Sequence, residues 1–461
     1  MLPARGAFAR FGARRDLSGP QLLVSSFAAL IAVGTLGFWH LPGLWVGAGL
    51  GFVDALFMAT SAVCVTGLSV VDVSSRMTLA GQLWLLALIQ LGGLGILTLA
   101  SLAAAALGKR AKLELEEAVG NPSSILPVSS PRALVAAVVV ATFAAEALGA
   151  LALWLAWSPR LGSAGAVWPA VFHAISAFCN AGFSTFPGGL SGFATHPPTV
   201  LLIAVLVLAG GIGFLVLEDL RLLCQRRRRR LTLHSRLALT TSGILLASSM
   251  ALYLLFEWQH TLAPFGLVDR LVNAFYMAVT PRTAGFHTVE YDALANPSVL
   301  LTVGLMWIGG SPGSVAGGVK TTTVALLALL LLARLRGRGN VSIANRTVPE
   351  PTVQRAVGLA VGGLLLLVTA SFVLAWTELP ASVAEPDRAH FVRLVFEAQS
   401  ALGTVGLSMG VTEDLTPAGR LVIVALMFLG RVGPLAVLGA MAPRSGRRAR
   451  FRLGREDVLV G

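Results

Sequence analysis

Apolar residues along this chain fall into long blocks separated by short polar segments. A helix needs about 20 apolar residues to cross a bilayer. Eight blocks meet that length: 21–39, 79–106, 132–157, 198–223, 237–257, 298–333, 355–377 and 418–441. Between the members of each successive pair lies a shorter, semi-apolar stretch: 51–62, 166–178, 267–280 and 390–401. These four are too short to cross and too apolar for water, so they are predicted as re-entrant helices. The expected fold class is an all-α polytopic membrane protein with eight spans and four re-entrant segments.

Composition agrees. Of 461 residues, 55% are apolar and 12% charged, against about 25% charged in an average soluble domain. A net charge of +13 raises nucleic-acid binding, but the basic residues stand between the apolar blocks. Segments 1–20, 107–131, 221–236, 334–350 and 442–461 hold 24 of the 35 Lys and Arg; the intervening segments hold seven. That bias places both termini in the cytoplasm and lets the short helices dip in from outside. Residues 1–20 lack a signal-peptide core. Cys64, Cys179 and Cys224 form no CxxC pair, and the seven His show no zinc spacing.

An internal repeat organises the blocks. Gly67, Gly182, Gly285 and Gly406 are spaced by 115, 103 and 121 residues. Ten residues before them stand Phe57, Phe172, Phe275 and Phe396. Six before stand Ser61, Ser176, Val279 and Ser400, with valine the exception. A second landmark follows in the next block: LGGLG (91–95), AGGIG (209–213), IGGSPG (308–313) and LGRVG (429–433). The unit is helix, short helix, Gly loop, helix, four times over. The boundaries are 21–108, 131–225, 236–335 and 352–443. The cytoplasmic pieces are 1–20, 109–130, 226–235, 336–351 and 444–461.

Four equivalent loops around a pseudo-fourfold axis make an ion path. The loops carry Val65, Thr66 and Gly67; Asn180, Ala181 and Gly182; Thr283, Ala284 and Gly285; and Thr404, Val405 and Gly406. Glycine permits the backbone to turn successive carbonyls inward, where they replace the hydration shell of a monovalent cation. Each short helix would aim its partly negative C-terminal end at that cation. No carboxylate ring appears, which argues against a divalent-cation filter. The third loop, TPRTAGFHTV (280–289), the segment GGSPGSVAGGVKTTT (309–323) and the fourth loop, SALGTVGLS (400–408), resemble the Trk/Ktr/HKT superfamily of potassium transporters. The likeness is greatest to its Ktr-type membrane subunit. It implies K⁺ selectivity, since all four filter positions are glycine. It also implies a homodimer, a peripheral cytosolic nucleotide-binding regulatory ring, residence in the cell membrane and no bound cofactor. The resemblance further implies K⁺ as the transported ion and admits coupling to Na⁺.

The sixth block is expected to open in mid-membrane, because Gly309, Gly310, Gly313, Gly317 and Gly318 accompany Pro312. The resemblance implies an intramembrane gating loop over 309–320, with Ser311 within it and Lys320 closing it. A phosphate-binding loop is excluded because Val319 separates Gly318 from Lys320. Arg431 replaces the second-landmark glycine of the other units (Gly93, Gly211, Gly310). A guanidinium there should face the axis or carbonyls, and the resemblance places it on the ion path beneath the filter. Glu146 is read as paired at a helix contact rather than as a proton site. His173, Asn273 and Glu397 are read as satisfying neighbours behind the filter. The run 226–230 is a topology signal that can touch anionic lipid or an acidic partner. Alternatives are a Na⁺-permeable or Na⁺-coupled relative of the same fold and an alternating-access carrier for a small organic solute. No nucleophile or metal set supports an enzyme.

Overall fold

The computed structural model describes residues 19–95, 131–226, 230–343, 346–379 and 388–433. The expected cytoplasmic segments 1–20, 109–130 and 444–461 lie wholly or almost wholly outside that set, as do the ends of the second and eighth blocks. The described chain is mostly helical. The elements are α1 (Gly19–His40), α2 (Phe52–Val63), α3 (Leu79–Gly93), α4 (Pro131–Leu161), α5 (Ser163–Phe178), α6 (Pro197–Ile212), α7 (Phe214–Cys224), α8 (Leu233–Glu257), α9 (Leu267–Val279), α10 (Asn296–Trp307), α11 (Thr321–Leu335), α12 (Glu350–Thr377), α13 (Arg388–Gly403) and α14 (Pro417–Val432). A two-residue antiparallel pair, Ser342–Ile343 with Arg346–Thr347, follows α11.

Helix starts follow local chemistry. Thr78, Thr232 and Thr416 cap α3, α8 and α14 by accepting from the backbone N–H three residues on. Proline stands in the first turn of α6, α10 and α14, where its missing N–H costs nothing. Among the described residues four helices are long and apolar enough to cross a membrane: Gln21–His40, Val135–Leu161, Leu233–Glu257 and Glu350–Thr377. Their outward faces carry exposed Phe143, Leu148, Leu155, Leu255, Leu365 and Phe372, an apolar exterior suited to lipid.

The fourth block is broken rather than continuous. Residues 198–223 were expected as one span, but α6 and α7 meet at Gly213 with a bend of 101°. Gly213 sits at φ +90°, ψ 139°, a conformation that only glycine adopts without strain. The N–H of Phe214, freed by the break, donates to Gly313 O at 3.1 Å. The sixth block opens as expected, with α10 ending at Trp307 and α11 beginning at Thr321.

Packing closes the units on one another. Within units, α1 packs on α2, α4 on α5, α8 on α9 and α12 on α13. Between units, α5 packs on α3, α9 on α6, α13 on α10 and α2 on α14. Each short helix therefore rests on the exit helix of the preceding unit, and the first rests on that of the last. Buried Phe57 and Leu85 share a cluster with Leu426 and Met427 across that last junction.

Candidate functional site

The four short helices end side by side, and each chain leaves its helix in the same strained turn. Two residues before each glycine the backbone is left-handed: Val65 (φ 55°), Asn180 (58°), Thr283 (71°) and Thr404 (50°). For β-branched residues this conformation costs on the order of 1–3 kcal/mol and persists only where the surroundings impose it. The glycines follow at φ 97°, 72°, 77° and 92°. Hydrogen bonds fix the turn. Thr66 N donates to Ser61 O at 2.8 Å, Ala181 N to Ser176 O at 2.7 Å, and Val405 N to Ser400 O at 2.8 Å. Serine hydroxyls complete it: Gly67 N and Gly406 N each donate to the serine six residues back at 3.1 Å, and Ser176 Oγ donates to Phe183 O at 2.8 Å.

The third unit shows what the spacing concealed. Its helix-to-glycine segment is one residue shorter. Tyr276 is fully buried, like Phe57, Phe172 and Phe396, whereas Phe275 is only partly buried. Thr280, not Val279, supplies the hydroxyl, donating to Phe286 O at 2.5 Å. Ala284 N accordingly donates four residues back, to Thr280 O at 2.9 Å.

The glycines form a closed ring. A Cβ placed on Gly67 would lie 2.5 Å from Ala181 O and 3.2 Å from the Gly182 Cα. One on Gly182 would lie 2.9 Å from the Gly285 Cα, and one on Gly285 2.7 Å from Val405 O. One on Gly406 would lie 2.1 Å from Thr66 O and 3.1 Å from the Gly67 Cα. Among the described residues no hydrogen bond reaches the carbonyls of the twelve loop residues from Val65 to Gly406. The amides are turned to the helices while the carbonyls are left without donors. Loops two and three are also tied by side chains. Asn180 accepts from Thr283 Oγ1 at 3.2 Å while its amide nitrogen donates to Ala177 O and Val207 O at 3.0 and 3.1 Å.

Residues 309–320 fold as a loop against the same ring. Gly309 N donates to Val319 O (2.9 Å), Thr321 N to Gly310 O (3.1 Å), and Ser311 Oγ pairs with Thr321 Oγ1 (3.1 Å). Ser311 N and Val315 N donate to Gly211 O and Gly210 O at 3.0 and 3.3 Å, so the loop plugs into the break between α6 and α7. Pro312 O would lie 2.7 Å from a Cβ on Gly213. Gly317 backs onto Thr404, whose Oγ1 would stand 2.1 Å from a Cβ there, and Gly318 lies near Gly403 O. Lys320 curls back to donate Nζ to Ala316 O at 2.6 Å. Buried Arg431 spans two units, donating Nη1 to Val315 O and Nη2 to Gly92 O at 2.7 Å. A cavity of about 220 Å³ adjoins these groups, lined by Gly95, Phe214, Ala316, Lys320 and Arg431 among others.

Four polar side chains behind the ring have partners. Glu146 accepts from Gln90 Nε2 at 3.2 Å, with Cys179 Sγ 3.7 Å away. His173 bridges Pro169 O (2.8 Å) and Ser184 Oγ (2.9 Å). Glu397 accepts from Ser408 Oγ (2.8 Å) and Thr412 Oγ1 (2.5 Å). Asn273 donates to Ala194 O and Asp269 O, both at 2.8 Å. Near the start of α2, Asp54 Oδ1 meets Arg420 Nη1 of α14 at 2.5 Å.

Comparison with known proteins gives the family of the chain. Residues 21–446 match the family described as TrkH, cation transport protein. The chain is 36% identical over 454 residues to the potassium/sodium uptake protein NtpJ of Enterococcus hirae, covering 97% of this chain and 98% of that protein. It is 36% identical over 448 residues to the Ktr system potassium uptake protein B of Bacillus subtilis, covering 96% of each. The crystal structure of the potassium transporter TrkH from Vibrio parahaemolyticus superposes with a TM-score of 0.74 at 19% identity, covering 96% of this chain and 88% of that one.

Proposed function

The chain belongs to the TrkH family of cation transport proteins, and on that premise we propose that it is the ion-translocating subunit of a potassium uptake system. The observation that carries this reading is the closed ring of four glycine loops with donor-free carbonyls. Carbonyl dipoles at such a ring stand in for the water around K⁺. The residues assigned to the filter are Val65 to Gly67, Asn180 to Gly182, Thr283 to Gly285 and Thr404 to Gly406. The four short helices serve as re-entrant pore helices, each with its negative end toward the ion.

The eight spans of this reading are α1, α3, α4, the bent pair α6–α7, α8, the interrupted pair α10–α11, α12 and α14. The α10–α11 interruption, 309–320, forms the gate beneath the filter. Gly309, Gly310, Ser311, Pro312, Gly313, Gly317, Gly318 and Lys320 shape the loop, and Arg431 latches it. Units 21–108, 131–225, 236–335 and 352–443 surround the pore in the cell membrane, with both termini cytoplasmic. The subunit pairs as a homodimer, and a cytosolic nucleotide-binding ring regulates it.

Because NtpJ is named for potassium and sodium, the test must separate the two ions. Purified protein in liposomes should move K⁺ and Rb⁺ in preference to Na⁺. Equal Na⁺ flux selects the sodium-permeable reading. No alkali-ion flux, with uptake of an organic solute instead, overturns both.

A further inference from the structure

Two arginines are buried near the ring, and they are treated differently. Arg431 is met by two backbone carbonyls. Arg282, three residues before Gly285, is only 7% exposed. Its Nη2 donates to Ser242 Oγ of α8 at 2.9 Å. Its Nε and Nη1 are buried and have no partner among the described residues. The corresponding positions in the other loops, Cys64, Cys179 and Gly403, carry no charge to balance.

The side chain lines a cavity of about 220 Å³ between α6 and α8. The remaining walls are apolar, including Val207, Ile212, Leu239, Leu246 and Val279. A guanidinium keeps its proton under all ordinary conditions, so titration cannot relieve this charge. An unpaired charge in an apolar chamber demands a counter-charge. Among the described residues no carboxylate pairs with it. The described residues therefore supply no counter-charge at this position.

We propose that this chamber is an anion site holding one halide, chloride in the cell, beside the Arg282 guanidinium and the Ser242 hydroxyl that line it. One guanidinium and one hydroxyl match a single negative charge. Apolar walls favour a weakly hydrated ion over phosphate or sulfate. The volume holds a halide with a few waters, each of which occupies about 30 Å³ in the liquid. A bound halide neutralises a fixed positive charge three residues from the filter glycine Gly285. This consequence for flux rests on the transport reading; the binding itself does not.

Crystals of the full-length protein grown in bromide should show an anomalous bromine peak within hydrogen-bond distance of Arg282. The peak should be absent in Arg282→Met, or, should that variant fail to fold, weakened in Ser242→Ala. No peak at Arg282, or an unchanged one in Ser242→Ala, overturns the site. In liposomes, Rb⁺ flux should fall several-fold when gluconate replaces chloride on both sides, and bromide should restore it. Flux indifferent to the anion overturns the proposed electrostatic effect. A bromide peak in a protein that moves no alkali ion would leave the site standing and refute the transport reading instead.

Discussion

Serine in place of each ring glycine should damage ion selection in an order set by the geometry. All four glycines have positive φ, so the backbone penalty of about 1–2 kcal/mol is common to all of them. The neighbouring backbone differs. A new Cβ would meet it at 2.1 Å from Gly406, 2.5 Å from Gly67, 2.7 Å from Gly285 and 2.9 Å from Gly182. Against an unstrained contact of roughly 3.5 Å, the neighbour must yield by about 1.4, 1.0, 0.8 and 0.6 Å respectively. At Gly406 the displaced atom is Thr66 O, at Gly67 it is Ala181 O, and at Gly285 it is Val405 O. A carbonyl moved by an ångström or more no longer ligates. A contact of that kind, between a full charge and a dipole, contributes about 1.5–3 kcal/mol. At 1.4 kcal/mol per tenfold, Gly406→Ser should lower the K⁺/Na⁺ permeability ratio by about 10- to 100-fold. Gly182→Ser should lower it least. The assay is flux into liposomes across a K⁺, Rb⁺ and Na⁺ series, with detergent-extracted protein checked for monodispersity. Unchanged selectivity in both Gly406→Ser and Gly67→Ser, or the greatest loss at Gly182→Ser, would refute the ring as the filter.

Arg431→Ala removes charge-assisted bonds to Val315 O and Gly92 O. At about 1.5–3 kcal/mol each, their loss should release the 309–320 loop and raise K⁺ flux at least tenfold, and unchanged or lower flux counts against the latch. Thr280→Val removes the bond to Phe286 O and should lower thermal stability by about 1 kcal/mol, whereas Thr280→Ser should restore it and Val279→Thr should not substitute; equal melting of all three refutes the one-residue offset. Asp54→Asn breaks the bridge to Arg420, whose side chains are 28% and 19% exposed. Such partly exposed pairs contribute only about 1 kcal/mol or less, so melting should fall slightly and the difference should vanish in 1 M salt.

Much of this architecture is legible in the sequence, for identifiable reasons. The four glycines are readable because a positive φ and a neighbouring backbone within contact distance leave no room for a side chain without displacement, so a glycine stands at the turn of every unit. The opening at 309–320 is readable because proline and five glycines break any helix. The bend at Gly213 is not. AGGIG (209–213) reads as small residues inside an apolar span, and what bends it is a bond from Phe214 N to Gly313 O, a hundred residues away. Thr280 escapes notice because counting back from glycine assumes equal loop lengths, and the third loop is one residue short. The pairing of Arg431 with Gly92 O is a contact across 339 residues, and no local pattern encodes it.

The junction of α2 with α14 sets an order on biogenesis. The first unit leaves the ribosome with one flank awaiting a helix that is synthesised last. Until residues 404–432 are made and docked, the ring lacks its fourth loop and the first unit lacks the helix on which α2 rests. On the proposed reading, neither the nascent chain nor a fragment that lacks its final quarter should conduct. That flank of α2, which rests on α14 in the finished molecule, has no helix to cover it until the end of synthesis.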